Sequence, residues 1–170
     1  MGILIIEYGD IIEISNKYNT EAIVNPTNKY MDYGSGVCGA IYDKVGIEVL
    51  ENYCHNKWQE EMNVNEIRIT PGFSLLKEII HIYCPRYYEE KQPIQKLEEG
   101  YNKLLKIIKK EQYKSFVIPS LGTGFHCYPH EEVAELVMKL LSDFCKENNV
   151  NIIFNLYDED TKNIYEQYLR

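Results

Sequence analysis

Lysine and arginine are scarce in this 170-residue chain: 18 stand against 26 aspartates and glutamates, a net charge of −8. A protein that grips nucleic acid by neutralising many phosphates needs the opposite balance, so nucleic acid is disfavoured as a partner. Cysteine is present but unpatterned. Cys38, Cys54, Cys84, Cys127 and Cys145 are odd in number and never spaced C-x-x-C, which fits a reducing cytoplasm better than a disulfide framework. No apolar run approaches the roughly 18 residues of a membrane span. The longest, Glu78–Cys84, is strand-sized and broken by His81. Met1–Glu7 has neither a basic n-region nor a cleavage site, so no secretory signal is expected, and Ile6 argues against myristoylation at Gly2. Ten glycines and six prolines are too few for a disordered or collagen-like chain. No repeat, low-complexity segment or linker stands out. The length fits one domain over residues 1–170, expected to be cytoplasmic and monomeric.

Two kinds of segment alternate. Short β-rich runs cover Leu4–Glu7, Ile11–Ile14, Ala22–Asn25, Ile67–Thr70, Ile79–Cys84, Phe116–Pro119 and Asn151–Tyr157. Several are apolar on both faces, as strands of a covered sheet are. Helical patterns lie between them. Ile94, Leu97, Tyr101, Leu104, Leu105 and Ile108 recur at spacings of three and four, with Pro93 at the start. Val133, Leu136, Val137, Leu140, Leu141 and Phe144 form a second stripe, opened by Glu131 and Glu132. A third helical stretch spans Val37–Lys57, with a break expected at Gly46, and an amphipathic tail covers Lys162–Leu169. This alternation predicts an α/β fold, a sheet covered by helices on both faces.

Two loops have the composition of anion cradles. After Ile23–Asn25 the chain reads Pro26-Thr-Asn-Lys-Tyr-Met-Asp-Tyr-Gly-Ser-Gly-Val-Cys-Gly-Ala-Ile41, a strand running through an Asn-rich turn and three glycines into a helix. After Phe116–Pro119 it reads Ser120-Leu-Gly-Thr-Gly-Phe-His-Cys-Tyr-Pro129, again a strand, a Gly-x-Gly turn and a helix. Glycine lets a ligand approach the backbone, and a helix start offers unpaired N–H groups with partial positive charge. Two such loops at strand carboxyl ends would frame one crevice for a nucleotide or diphosphate. Phe125 would then pack on a sugar or base, or simply cover the core edge. Asp10, in the turn Gly9-Asp10-Ile11, is either a solvated turn former or an acceptor for an exocyclic amine.

Taken together, these motifs resemble the macrodomain family. Gly9-Asp10-Ile11 is similar to its adenine-contacting turn, Ile23-Val-Asn-Pro-Thr-Asn28 to its apolar-apolar-Asn-x-x-Asn signature, and Gly34–Ile41 to its first diphosphate loop. Ile80–Pro85 resembles the strand that usually ends in proline, and Ser120–Pro129 the second diphosphate loop. The resemblance implies a three-layer α/β/α sandwich with a mixed, mostly parallel sheet of about six strands. It implies binding of ADP-ribose or an ADP-ribosylated protein, with no cofactor.

Roles follow position by position. Asp10 would accept from the adenine amino group, with Ile11 near the base. Asn28 would bind the distal ribose, and Asn25 would brace the loop. Gly34, Ser35, Gly36, Val37 and Cys38 would line one phosphate, and Ser120, Leu121, Gly122, Thr123, Gly124, Phe125 and His126 the other. The implied activity is hydrolysis of ADP-ribosyl esters on proteins, or deacetylation of O-acetyl-ADP-ribose. The alternatives are a non-catalytic reader and an ADP-ribose 1″-phosphate phosphatase.

The chain departs from the hydrolase pattern. Cys38 stands where those relatives have a water-orienting Asp, and Tyr42 where they have a His. Cys38 reads as a buried small residue rather than a nucleophile. Asp32, four residues after Asn28, is the candidate replacement carboxylate, with an ordinary turn residue as its plainer reading. A water held by the substrate's own phosphate is the other route. His126 is either a general base or a surface residue. Cys38, His126 and Cys127 are zinc-ligand types without tight ligand spacing, so no metal is expected. Tyr83, Tyr87 and Tyr88 are expected near the crevice.

Overall fold

The computed structural model describes residues 1–169. In chain order it runs β1 (Leu4–Tyr8), α1 (Ile11–Tyr18), β2 (Ala22–Pro26), α2 (Gly36–Val45), α3 (Ile47–Lys57), β3 (Ile67–Pro71), a short 3-10 turn (Phe73–Leu75), β4 (Glu78–Ile82), α4 (Pro93–Lys110), β5 (Ser115–Pro119), α5 (His130–Asn148), β6 (Asn151–Leu156) and α6 (Glu159–Glu166). The six strands form one sheet in the order β1-β6-β5-β2-β4-β3. Every pairing is parallel except β3 with β4. This is the mixed, mostly parallel α/β sandwich that the motif order implies.

Successive residues of each central strand face opposite layers. Ile23, Ile79, Val117 and Ile153 pack on one side with Ile41, Tyr42 and Leu50 of α2 and α3, and with Ile11 and Ile14 of α1. Val24, Ile80, Ile118 and Phe154 pack on the other with Leu104, Val137, Leu141 and Tyr165 of α4, α5 and α6. Burying each such aliphatic side chain contributes about 1.5–3 kcal/mol. Among the described residues no helix is long and apolar enough to cross a membrane.

Three differences from the sequence reading exceed a single residue at a strand end. Ile11–Ile14, expected as a β-run, opens helix α1. Asp10 is its N-cap, with extended backbone and a carboxylate accepting from the Ile12 and Glu13 amides at 2.9 and 3.0 Å. That cap turns a β-branched run into one helical face, on which Ile11, Ile12, Ile14 and Ser15 are buried. The C-terminal helix begins earlier than Lys162, because Asp158 caps it through the Thr161 amide at 2.7 Å. Strand β4 ends at Ile82, short of Cys84. The break at Gly46 is as expected: φ is 109° there, and α2 passes directly into α3.

Because β6, β5, β2 and β4 are parallel neighbours, their carboxyl ends emerge on one side of the sheet. Three inter-strand steps of about 4.8 Å make that row of strand ends about 14 Å long.

Candidate functional site

A crevice of about 820 Å³ opens over these strand ends. From the β6 end it is lined by Asn155, Leu156, Tyr157, Asp158 and Thr161; from the β5 end by Pro119, Ser120 and Gly122–Cys127, with His130. Pro26–Asn28 after β2, Gly34–Cys38 and, beyond β4, Cys84 and Arg86 complete it. The two glycine turns therefore converge on one cavity.

Both turns present backbone donors. Helix α2 begins at Gly36 with φ of 59°, and its N-cap Ser35 makes no side-chain capping bond. No acidic side chain occupies its first turn, so its positive end is left uncompensated. In the second turn Gly122 has φ of 80°, and a Cβ there would lie 2.9 Å from the Tyr128 ring. Among the described residues the amides of Ser35, Gly36, Val37, Thr123, Gly124 and Phe125 have no protein acceptor. Two further amides face sulfur: Gly34 N–H meets Cys38, and Gly122 N–H meets Cys84. Three free amides on each side form a neutral but electropositive cradle.

The first turn is fastened from several directions. Asn28 Oδ1 accepts from the Tyr30 and Asp32 amides at 3.0 and 3.1 Å, and its Nδ2 donates to the Asp32 carbonyl at 2.9 Å. The Cys38 thiol reaches that same carbonyl at 3.7 Å, and the Tyr42 hydroxyl donates to the Met31 carbonyl. From α3, Glu51 accepts from the Tyr33 amide at 2.8 Å, and one helical turn later His55 Nε2 meets Asp32 at 2.6 Å. Cys38 and Tyr42 thus act here as loop fasteners. Burial pushes the Cys38 thiol up to about 11 and the Tyr42 phenol well above its ordinary range, so neither is an acid or base near neutrality.

Not every expected residue lines the crevice. Asp32 instead lines a separate groove with His55, Tyr30, Trp58, Gln59, Glu60 and Glu61. Asp10 lies outside the crevice wall as the α1 cap, with one carboxylate oxygen taken, and Ile11 is buried behind it. Leu121 is buried, and its amide donates to the Tyr101 hydroxyl at 3.0 Å. Asn25 is fully buried beneath the turn. Its Nδ2 lies 3.0 Å from His81 Nδ1 and 3.8 Å from Cys38 Sγ, while His81 Nε2 lies 2.9 Å from the Thr70 hydroxyl. Desolvation holds His81 down to about 3, hence neutral. Tyr83 and Tyr87 lie beside the cavity, as expected, without lining it: Tyr83 packs edge-on against His126, the Tyr87 amide donates to the His126 carbonyl, and Tyr88 packs on Tyr87.

Sequence reasoning missed several lining residues. Tyr157 is one: its hydroxyl lies 3.0 Å from where a Cβ on Gly36 would be, across the crevice. Asn155 donates to the Gly9 carbonyl at 3.0 Å and so ties the Asp10 turn to the β6 end. Arg86 is the third. Only strand order brings these to the site, so no local pattern marks them. Among the described residues no cluster of three His, Cys, Asp or Glu side chains is arranged to hold a metal ion.

Comparison with known proteins agrees with this architecture. The family model described as "Macro domain" matches residues 24–137. An O-acetyl-ADP-ribose deacetylase of Salmonella newport is 32% identical over 167 residues, covering 95% of this chain and 90% of its own. The solved structure of the Oceanobacillus iheyensis macrodomain with ADP superposes with a TM-score of 0.83 at 30% identity, over 98% of this chain and 90% of that one. A Trypanosoma brucei macrodomain solved with ADP-ribose shares the fold at a TM-score of 0.80 and 22% identity, over 96% of this chain and 68% of that one. A matching model across most of the chain, a curated relative over nearly its full length and one shared architecture lead to one assignment: the chain belongs to the macrodomain family.

Proposed function

We propose that the crevice binds ADP-ribose and that the protein hydrolyses its esters, removing ADP-ribose from protein carboxylates or deacetylating O-acetyl-ADP-ribose. The observation that carries this reading is the facing pair of amide triads, Ser35–Val37 and Thr123–Phe125, with no acceptor of their own. A diphosphate supplies acceptors for both. The ligand's direction in this reading follows the roles that the family resemblance implies for the Asp10 turn and Asn28. Adenine lies at the β1 and β6 end, by the Asp10 turn and Tyr157, and the distal ribose at the β2 and β4 end, by Asn28 and Phe125.

Asp32 is not the activating carboxylate in this reading, because it is engaged by His55 away from the crevice. Water is positioned instead between the ligand's own phosphate and a loop amide, and the protein contributes orientation and electrostatics. The deacetylase name of a relative 32% identical supports an ester substrate. Five free thiols suit a reducing cytoplasm, where the protein would act as a monomer.

A second reading, a reader without turnover, is favoured by Cys38 and Tyr42 serving as fasteners. Calorimetry with ADP-ribose tests the site. Release of acetate from O-acetyl-ADP-ribose, and of ADP-ribose from a glutamate-modified protein, tests the reaction. Binding without release from either substrate leaves the reader; no binding removes both readings.

A further inference from the structure

The charges lining the crevice are few and separated. Asp158 sits at the β6 end with its carboxylate committed to capping α6. At the other end Arg86 is the one Lys or Arg among the lining residues, and among the described residues its guanidinium has no carboxylate or hydrogen-bond partner. An unpaired cation is an unusual feature at the mouth of a cavity in a chain of net charge −8.

Its neighbour is held in one orientation. His126 is gripped by the segment around Arg86: the Tyr87 amide donates to the His126 carbonyl at 2.9 Å, and His126 Nδ1 lies 3.0 Å from the Pro85 carbonyl. A carbonyl only accepts, so Nδ1 carries the hydrogen and the neutral ring keeps its lone pair on Nε2. Tyr83 packs edge-on against the ring at 6.0 Å and fixes its plane. No described residue bonds Nε2.

We infer that Arg86 and His126 form the acyl subsite of the crevice, with Arg86 selecting linkages that release a carboxylate and His126 Nε2 accepting the proton of the attacking water. The inference rests on the ester-hydrolase reading and deepens it. The water held by the ligand's phosphate and a loop amide gives its O–H proton to His126, and its oxygen bonds to the acyl carbon. The oxyanion that develops on the acyl oxygen is held by the Arg86 guanidinium. As the intermediate collapses, the bond from acyl carbon to ribose oxygen breaks and His126 returns its proton to that oxygen. The acid product then gives up its own proton to solvent, leaving a carboxylate beside Arg86. An arginine-linked ADP-ribose would instead bring a guanidinium against Arg86 and is disfavoured.

The test compares wild type, Arg86→Gln, Arg86→Lys and His126→Gln. With O-acetyl-ADP-ribose, Arg86→Gln is expected to lower kcat/KM by about tenfold or more, the weight of one charge-assisted bond. Arg86→Lys restores part of it, and ADP-ribose affinity by calorimetry stays within threefold. His126→Gln lowers kcat by about a hundredfold with little change in KM, the usual scale of a lost general base. Wild-type turnover in both Gln variants overturns the inference, as does a loss of ADP-ribose affinity matching the loss of rate. If the wild-type protein binds ADP-ribose but turns nothing over, the hydrolase reading fails and the subsite is judged by binding alone. Wild type should then prefer ADP-ribose 1″-phosphate to ADP-ribose by about tenfold, and Arg86→Gln should abolish the preference. Equal affinities overturn it.

Discussion

Asn28 uses both ends of its side-chain amide inside one loop, accepting from two backbone N–H groups and donating to one carbonyl. Each such bond contributes about 1 kcal/mol, so Asn28→Ala should weaken ADP-ribose binding by about tenfold or more in calorimetry. An unchanged Kd would mean that the loop keeps its shape without the side chain. Cys38 yields a prediction of a different kind. Its thiol is pushed up to about 11 and lies buried under the turn, whereas Cys127 is exposed on the second turn. Alkylation at pH 7.5, read by peptide mass spectrometry, should modify Cys127 well before Cys38. Prior labelling of Cys38 would mean that its thiolate is favoured after all. At this scale the glycine turns were legible because few other residues suit such backbone. Asp32 was legible only as a residue type: nothing within four residues of Asn28 signals that His55, on a separate helix, would claim its carboxylate.

Elements tell a similar story about local and non-local signals. The stripes of α4 and α5 were readable because 3.6-residue periodicity over eighteen residues or more averages out local noise. Helix α1 was misread because four apolar residues suit either state, and the Asp10 cap decides between them. The polar link from Thr70 through His81 to Asn25 joins β3, β4 and β2, and no local pattern announces it. It has a consequence for pH. His81 is held down to about 3 in the folded protein, below the ordinary value of about 6.5 for the unfolded chain. The unfolded state therefore takes up a proton that the folded state refuses. Stability is full above about pH 6.5 and falls as pH drops toward 3, with a slope of about 1.4 kcal/mol per unit. Half-buried His130 is displaced the same way and adds to the slope. Most carboxylates stay ionised in both states down to about pH 5, so urea melts between pH 7 and pH 5 isolate the histidines. His81→Gln should flatten that dependence whatever its effect on stability at pH 7; an undiminished slope would assign the effect elsewhere.

At the scale of the whole molecule, a chain of net charge −8 is matched to a ligand that carries a diphosphate. The order of motifs along the chain made the sandwich legible. The two glycine turns as walls of one crevice were legible too, but its ends were not, because they are set by strand order: β6 and β4 flank β5 and β2, so residues as distant in sequence as Arg86 and Tyr157 share one cavity. That arrangement resolves the apparent mismatch of charge. On the proposed reading the phosphate grip belongs to six uncharged amides and the helix-start dipole of α2, not to a basic patch, and Arg86, the one Lys or Arg lining the crevice, lies beyond it at the β4 end. Such a grip has little for salt to screen. Between 50 and 500 mM NaCl the Debye length shrinks from above about 10 Å to about 4 Å, which weakens both the repulsion from the acidic surface and the pull of Arg86. These two effects oppose one another, so ADP-ribose affinity measured across that range should change by less than about threefold. A site that neutralises phosphates with lysines and arginines would lose affinity steadily with salt, through counterion competition. A fall of tenfold or more across the same titration would therefore show that a basic side chain, rather than the paired glycine turns, holds the diphosphate.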